Sequence, residues 1–494
     1  MKMRLVGFLL AGLLAAAPAL AQSVQNIVLR NSFSPTGAGA RGQGMGGAFI
    51  GVADDGTAAS FNPAGLAQLR RSEIAAVGFW DELTTTRSGG TGQLRETSRH
   101  EAPDFFGLAV PFTVAERNLT VQLSYQRAVD LFGKGSASTR DTIPFRDLLI
   151  PLPGNADVRG EIAPQQSGAF RTFSLSGAYQ LTPRLSFGLS FNYWFADWTA
   201  EGRTVFAILT STTPPVLIRA DTRAFEQKQS LHGVSVNSGL LLKYSWLSLG
   251  GVLRLPFSGR YELEETGSST AAVAGRATTT VPVSTYATTK LDWPMTGGVG
   301  IALRPLPGLT LAGDAAKSYW SRATLRDLPD GALLTPAPEA VDGVEPTPSY
   351  NDRNFFDLNP ASVTLTSDTK QLRAGVEYLL TVPKVVIPLR GGVFRDESPV
   401  RDLSNDRARR IEGWTVGSGL NFSRFVLDVA FERRTAEAVV GLQIRRGQGA
   451  SASNTEKVRE DRIVASLILR LGADDPIKRG LKKLFVGGEQ KPEN

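Results

Sequence analysis

Residues 185–195 read LSFGLSFNYWF. In an extended strand, successive side chains point to opposite faces. Leu185, Phe187, Leu189, Phe191, Tyr193 and Phe195 therefore share one face, and Ser186, Gly188, Ser190 and Asn192 share the other. Leu119, Val121, Leu123 and Tyr125 alternate in the same way with Thr120, Gln122, Ser124 and Gln126, as do Phe425, Leu427, Val429 and Phe431 with Val426, Asp428, Ala430 and Glu432. The pattern recurs near 172–180, 234–244, 247–255, 372–380, 414–422 and 463–471. A soluble β-sandwich also alternates, so the lengths of the connections decide. Short links at 114–117, 181–184, 244–246, 304–308, 381–384 and 421–424 take turns with long ones at 86–103, 128–168, 199–230, 261–290, 321–368, 396–410 and 435–459. Short turns at one end and long loops at the other are the plan of an outer-membrane barrel. The expected fold is all-β, a transmembrane antiparallel β-barrel of about fourteen strands, an even number as bacterial barrels require.

The flanks agree with an exported protein. Lys2 and Arg4 precede an apolar run from Leu5 to about Ala17, and Ala19-Leu20-Ala21 supplies a cleavage site. This reads as a secretory signal peptide over 1–21. No later stretch of 18 apolar residues can form a spanning helix. There is no cysteine, which leaves neither disulfides nor thiolate metal sites. Loss of Lys2 and Arg4 lowers the formal charge from +7 by two, and the remaining basic residues are scattered, so nucleic-acid binding has no support. The 51 glycines and a mean hydropathy of -0.09 suit a wall in which apolar and polar positions average out.

Residues 38–66, AGARGQGMGGAFIGVADDGTAASFNPAGL, lie just before the first strand and contain few large side chains. Such a segment packs poorly alone and fits as a plug enclosed by the barrel. Asp54-Asp55-Gly56 and Asn62-Pro63-Ala64 mark sharp turns within it. The expected division is signal peptide 1–21, plug 22–71, barrel 72–471 and periplasmic tail 472–494. In the tail, Ile477, Leu481, Leu484 and Phe485 fall at helical spacing opposite Lys478, Arg479, Lys482 and Lys483. This admits a short membrane-surface helix or a solvated tail.

Trp80, Trp194, Trp198, Trp246, Trp293, Trp320 and Trp414 fall near expected strand ends and suit interfacial girdles; ordinary strand packing is the alternative. Two long loops carry apolar clusters: Ile143, Phe145, Leu148, Leu149, Ile150 and Leu152 in one, Val216, Leu217 and Ile218 in the other. Exposed apolar clusters mark ligand or partner contact, here a candidate capture site for a hydrophobic ligand; packing on each other as a lid is the alternative. Chemistry is sparsely signalled. The two histidines are His100, in an expected loop, and His232, near an expected strand start. The sequence lacks G-x-S-x-G, H-E-x-x-H and an acidic cluster at metal spacing. No catalytic residue, cofactor or metal is expected. The glycine run 41–47 lacks the strand before it that a dinucleotide loop needs.

The run GARGQGMGGAFIGVADDGTAASFNPAGLA resembles the N-terminal hatch of the FadL/TodX family of outer-membrane transporters of long-chain fatty acids and aromatic hydrocarbons, with Asn62, Pro63 and Ala64 matching its Asn-Pro-Ala motif. WPMTGGVGIALRPLPGLTLAGDAAKSYWS resembles the family's mid-barrel hairpin, and QLRAGVEYLLTVPKVVIPLRGGVFRDESPVRDLSNDRARR its C-terminal part. The sequence departs from the family in its middle loops and in the tail after Leu471, where the family ends on a terminal aromatic. The resemblance implies a monomer in a Gram-negative outer membrane, in contact with membrane lipid. It implies passive transport of hydrophobic compounds, long-chain fatty acids before aromatic hydrocarbons, by loop capture, hatch rearrangement and lateral release. Asn62-Pro63-Ala64 would hold the hatch turn, and Gly44, Gly46 and Gly47 would let it rearrange. A secretion scaffold or adhesin without transport is the first alternative, and a barrel lipase the second.

Overall fold

The computed structural model describes residue 33 and residues 37–89, 92–134, 137–145, 150, 152–329, 350–355, 366–402, 407–440 and 454–472. The expected signal peptide and nearly all of the tail lie outside these residues.

Fourteen long strands make the wall: β1 Glu73–Gly89, β2 Gly92–Val114, β3 Arg117–Asp130, β4 Asn155–Gln180, β5 Leu185–Thr210, β6 Leu217–Lys243, β7 Leu247–Arg254 continuing as Phe257–Val273, β8 Thr279–Trp293 continuing as Thr296–Leu306, β9 Leu309–Ser318, β10 Thr369–Val382, β11 Val385–Asp402, β12 Arg407–Asn421, β13 Phe425–Val440 and β14 Asn454–Arg470. Each pairs antiparallel with the next, and β14 returns to β1 in register from Glu73↔Arg470 to Ser88↔Thr455, so the sheet closes. Closure removes the free edges that a membrane does not tolerate. β7 and β8 break side by side, at Leu255-Pro256 and Pro294-Met295. Proline has no N–H for the ladder, so it sits at such interruptions.

The tight turns fall where the short links predict them. At 115–116 both Ala115 and Glu116 have positive φ (47° and 61°) between the paired Val114 and Arg117. That is the backbone of a two-residue hairpin whose twist matches the strands. The long links are different from expectation. Much of 86–103, 199–230 and 261–290 is not loop but strand: β5 and β6 run 26 and 27 residues and turn over only at 211–216. Beyond the membrane the outward face need not be apolar, so these extensions keep their ladder without an apolar stripe. His100 accordingly lies in β2 and His232 well inside β6.

Side-chain direction follows the alternation. Thr120, Gln122, Ser176 and Ser190 are buried toward the interior, whereas Leu123, Phe191, Val234 and Val393 are more than half exposed on the outside. On β5 the outward apolar row runs from Leu185 to Phe195. Ten residues at ~3.3 Å each and a tilt of about 40° span ~25 Å along the membrane normal, the height of a barrel's apolar band. Trp246 and Trp414 are exposed outside, as girdle residues should be. Trp198, Trp293 and Trp320 are instead buried inside, with Trp194 packed against them. The alternation parity of β5 already places Trp194 and Trp198 on the Ser190 side.

Candidate functional site

Residues 37–69 fill the barrel. The segment forms a short helix α1 (Ala40–Gly44), a second, α2 (Ala58–Phe61), and a 3-10 turn (Pro63–Gln68). Between them the chain reverses at Gly46 and Gly47, with φ of 67° and 75°, a region that only glycine enters without cost. Asp55 Oδ1 accepts from the Thr57 N–H (2.9 Å) and hydroxyl (2.7 Å), the turn its sequence predicts. Phe49 meets Phe61 edge-on at 4.9 Å, and Met45, Ala48, Val52 and Leu66 complete a small core.

Asn62, fully buried, organises the lower turn. Its Oδ1 caps the 3-10 turn by accepting from Ala64 N–H (3.1 Å). Its Nδ2 donates to Ile50 O (3.1 Å) within the hatch and to Leu240 O (3.0 Å) on β6. Pro63 sits at the first turn position, where a missing N–H is harmless. Both Pro63 and Ala64 lie against the wall at Gly188, where a Cβ would stand 2.4 Å from Ala64 N.

The wall is shaped to receive hatch backbone. A Cβ on Gly250 would lie 2.3 Å from Ile50 O, one on Gly375 2.2 Å from Met45 O, and one on Gly392 2.2 Å from Gly46 N. Real Cβ atoms never approach so closely, so these inward positions must be glycine while the hatch is seated. Polar side chains then take up the hatch's free backbone groups. Asp314 Oδ2 accepts from the N–H groups of Phe49 (2.7 Å) and Ile50 (2.8 Å). Thr415 Oγ1 accepts from Gly46 N–H and donates to Gly44 O, each at 2.9 Å. Arg373 donates to Gly46 O (3.0 Å), and Gln122 to Gly56 O (2.6 Å).

Arg41 carries the charged contact. It clamps Glu377 on β10 through two bonds (3.0 and 2.9 Å) and reaches Asp54 at 2.5 Å. Glu377 also accepts from Arg390 (2.7 Å), which bonds Asp428 (2.6 Å). Burial alone would lower the Arg41 pKa, but Asp54 and Glu377 hold it well above its ordinary value. Burial raises the Asp55 pKa against the pull of Arg41. A buried charge that loses its partner is costly, so this network holds the hatch in one orientation.

Above the hatch the interior turns aromatic. Trp293 lies 5.1 Å from Trp320, Phe170 5.1 Å from Trp198, and Trp194 5.6 Å from Phe257. Between this roof and the hatch lies a cavity of ≈ 50 Å³, edged by Trp194, Phe257 and Trp293 on the aromatic side and by Asn192, Asn237 and Arg254 on the polar side. Arg254 donates to Ser60 O (3.1 Å). Ligand pockets usually offer ~300 Å³ or more, so this cavity is too small to hold a ligand as it stands.

Among the described residues the wall also parts between β2 and β3, which the sequence did not signal. β2 and β3 pair only from Val114↔Arg117 to Phe105↔Gln126. Beyond that point β2 continues on β1 and β3 on β4. Asp104 bulges out of the β1 register, and Pro103 beside it has no N–H to offer. His100 bridges the gap: its Nε2 lies 3.3 Å from Asp130 Oδ2 and 3.5 Å from Arg127, and its ring stacks on Phe132 at 4.4 Å, while Arg127 bonds Asp130 (2.6 Å) on its own strand and Gly168 O (3.1 Å) on β4. His232 Nδ1 lies 3.3 Å from the Tyr193 hydroxyl. Among the described residues neither histidine contacts a serine hydroxyl.

The candidate capture residues divide. Phe145, Ile150 and Ile218 pack with Ala156, Val158, Phe206 and Ile208 into a small cluster at the long-strand end. Leu152, Val216 and Leu217 are exposed. Leu148 and Leu149 lie outside the described residues. Part of these segments thus packs as a lid-like cluster, and part leaves apolar residues on its surface.

No protein-family model matches the sequence, and no curated protein is significantly similar to it. Solved structures are similar in fold. A FadL homologue of Pseudomonas aeruginosa is 13% identical with a TM-score of 0.55, over 89% of this chain and 100% of that one. The Pseudomonas putida toluene transporter TodX is 12% identical with a TM-score of 0.54, over 89% and 99%. The monoaromatic hydrocarbon channel CymD is 15% identical with a TM-score of 0.53, over 90% and 100%. Over nearly its whole length, then, this chain has the fold of the FadL homologue, TodX and CymD.

Proposed function

We propose that the protein is an outer-membrane channel that passes hydrophobic compounds, long-chain fatty acids first among them, without an energy source. The observation that carries this reading is the amphipathic interior: an aromatic chamber sits directly above a polar floor that includes the Arg254 guanidinium. An alkyl chain suits the aromatic side, and a carboxylate suits a guanidinium. A toluene-sized ligand would use only the aromatic side, and the toluene transporter TodX and the channel CymD favour that as the second reading. Apolar surface at Leu152, Val216 and Leu217, beside the cluster around Phe145, would gather ligand. Gly44, Gly46 and Gly47 would let α1 leave its place, and Asn62-Pro63-Ala64 would keep the lower turn as a fixed hinge. Release through the β2–β3 gap into the bilayer would spare an apolar molecule the passage through water.

The test is Arg254→Gln in a Gram-negative host lacking its own fatty-acid channel. Oleate uptake should fall at least tenfold while toluene uptake stays within twofold. Equal loss of both, or of neither, contradicts a carboxylate-binding role. Failure of the wild type to support uptake of either compound contradicts the transport reading itself.

A further inference from the structure

The outer wall carries a second surface that transport does not use. On β12, β13, β14 and β1 the outward apolar row ends at Trp414, Phe431, Ile463 and Trp80. Immediately beyond, toward the long-strand end, the same face becomes charged. Cross-strand partners share a face, and the register Thr86↔Lys457, Thr86↔Arg95, Thr84↔Arg459 and Thr435↔Arg459 sets these residues side by side. They line an outward concavity of ≈ 590 Å³ in which Arg95, Arg410, Lys457 and Arg459 outnumber Glu412 and Glu437.

The two carboxylates are already engaged, Glu437 by Lys457 (3.4 Å) and Glu412 by Arg395 (2.6 Å). Arg95 and Arg410 have no carboxylate partner among the described residues, and both are exposed. Depth identifies the ligand. From Ile463 to Arg459 is four residues, ~13 Å along the strand and ~10 Å along the membrane normal. Arg410 is likewise four residues beyond Trp414, and Arg95, paired with Thr86, is level with a position six residues beyond Trp80, ~20 Å along the strand and ~15 Å along the normal. The guanidiniums therefore stand ~10–15 Å beyond the apolar row, at headgroup level. Arg433 marks the transition, lying over the rings of Trp414 (6.0 Å) and Phe431 (5.7 Å).

We infer that this concavity binds the phosphates of a phosphorylated glycolipid of the outer leaflet, whose acyl chains lie on the apolar wall beneath it. Guanidiniums pair phosphate bidentately, and the Thr86 hydroxyl, on the same face beside Arg95 and Lys457, is at hand for sugar or phosphate oxygens. A soluble anion would gain nothing from the apolar wall; a lipid gains on both faces. The inference rests on the barrel being seated in an outer membrane, and is independent of its cargo.

The test compares wild type with Arg95→Gln/Arg410→Gln. Both are reconstituted in nanodiscs doped with lipid A, with dephosphorylated lipid A, or with phosphatidylglycerol at equal charge, and retained lipid is counted by native mass spectrometry. The wild type should retain lipid A over the other two, and the double variant should retain it about thirty-fold less, from two lost surface cations. Should the double variant fail to fold, displacement of lipid A from the wild type by inorganic pyrophosphate takes its place, with displacement expected at millimolar pyrophosphate. Unchanged retention in the variant overturns the proposal. So does equal retention of phosphatidylglycerol, which would reduce the patch to general surface charge, and so does resistance to pyrophosphate. Oleate uptake measured in parallel keeps this result separate from the transport reading.

Discussion

Replacing Asn62 by alanine removes three hydrogen bonds from one buried site: two donated by Nδ2, to Ile50 O and Leu240 O, and one accepted by Oδ1 from Ala64 N–H. At about 1 kcal/mol net for each bond, the seated hatch loses ~3 kcal/mol. Part of this is an N-cap, whose removal alone costs ~0.5–2 kcal/mol. The barrel wall loses only one carbonyl partner, so the cost falls on seating of the hatch and not on closure of the sheet. A difference of ~3 kcal/mol multiplies the open population about a hundredfold, at tenfold for each ~1.4 kcal/mol. Amide exchange followed by mass spectrometry in nanodiscs should show hatch peptides covering 57–68 exchanging about a hundredfold faster, with peptides of β4 to β6 unchanged. Asn62→Asp keeps the cap but sets an oxygen against two carbonyls, so it should match the alanine variant. Oleate uptake should slow in both, because the lower turn no longer returns to one position. Hatch exchange within threefold of wild type would refute the reasoning, and so would faster exchange spread evenly over the wall.

Other outcomes follow from the same geometry. Gly392→Ala places a methyl 2.2 Å from Gly46 N; relief needs a shift of more than ~1 Å and costs ~1–3 kcal/mol or more. Its bilayer conductance should rise, while Gly391→Ala, whose nearest neighbour would be 3.8 Å away, should conduct like wild type. His100→Ala removes the contact with Asp130 and the stack on Phe132 across the β2–β3 gap. It should speed transfer of fluorescent fatty acid from barrel to bilayer in proteoliposomes by several-fold without altering heat-modifiable gel mobility. Unchanged transfer would place the exit elsewhere.

The barrel was legible because the membrane imposes strict alternation. Alternation alone sorts residues 185–195 into lipid and interior faces, and the short turns fall where the short links place them. Loop lengths misled, because 199–210 and 217–230 keep their ladder above the membrane, where water accepts either face of a strand. The tryptophans show a finer failure: a girdle and an interior chamber use the same residue, and parity along the strand, not residue type, separates Trp194 and Trp198 from Trp414. The hatch was visible as a stretch without bulk, and Asn62 as a turn former. Its partners were not visible, because Asp314, Thr415 and Glu377 meet it only after more than 250 intervening residues are folded into a ring. The β2–β3 gap leaves only Pro103 as a trace, and one proline among 28 points nowhere by itself.

The central claim is that the hatch must move for cargo to pass. The chain has no cysteine of its own, and a Cβ on Gly44 would stand 3.5 Å from that of Arg390, within the range a disulfide bridges. Gly44→Cys/Arg390→Cys therefore ties α1 to β11. Oleate uptake by this variant should stop when the pair is oxidised and return to most of its reduced rate when dithiothreitol is added. Equal uptake in the two states, with the crosslink verified by mass spectrometry, would contradict the account.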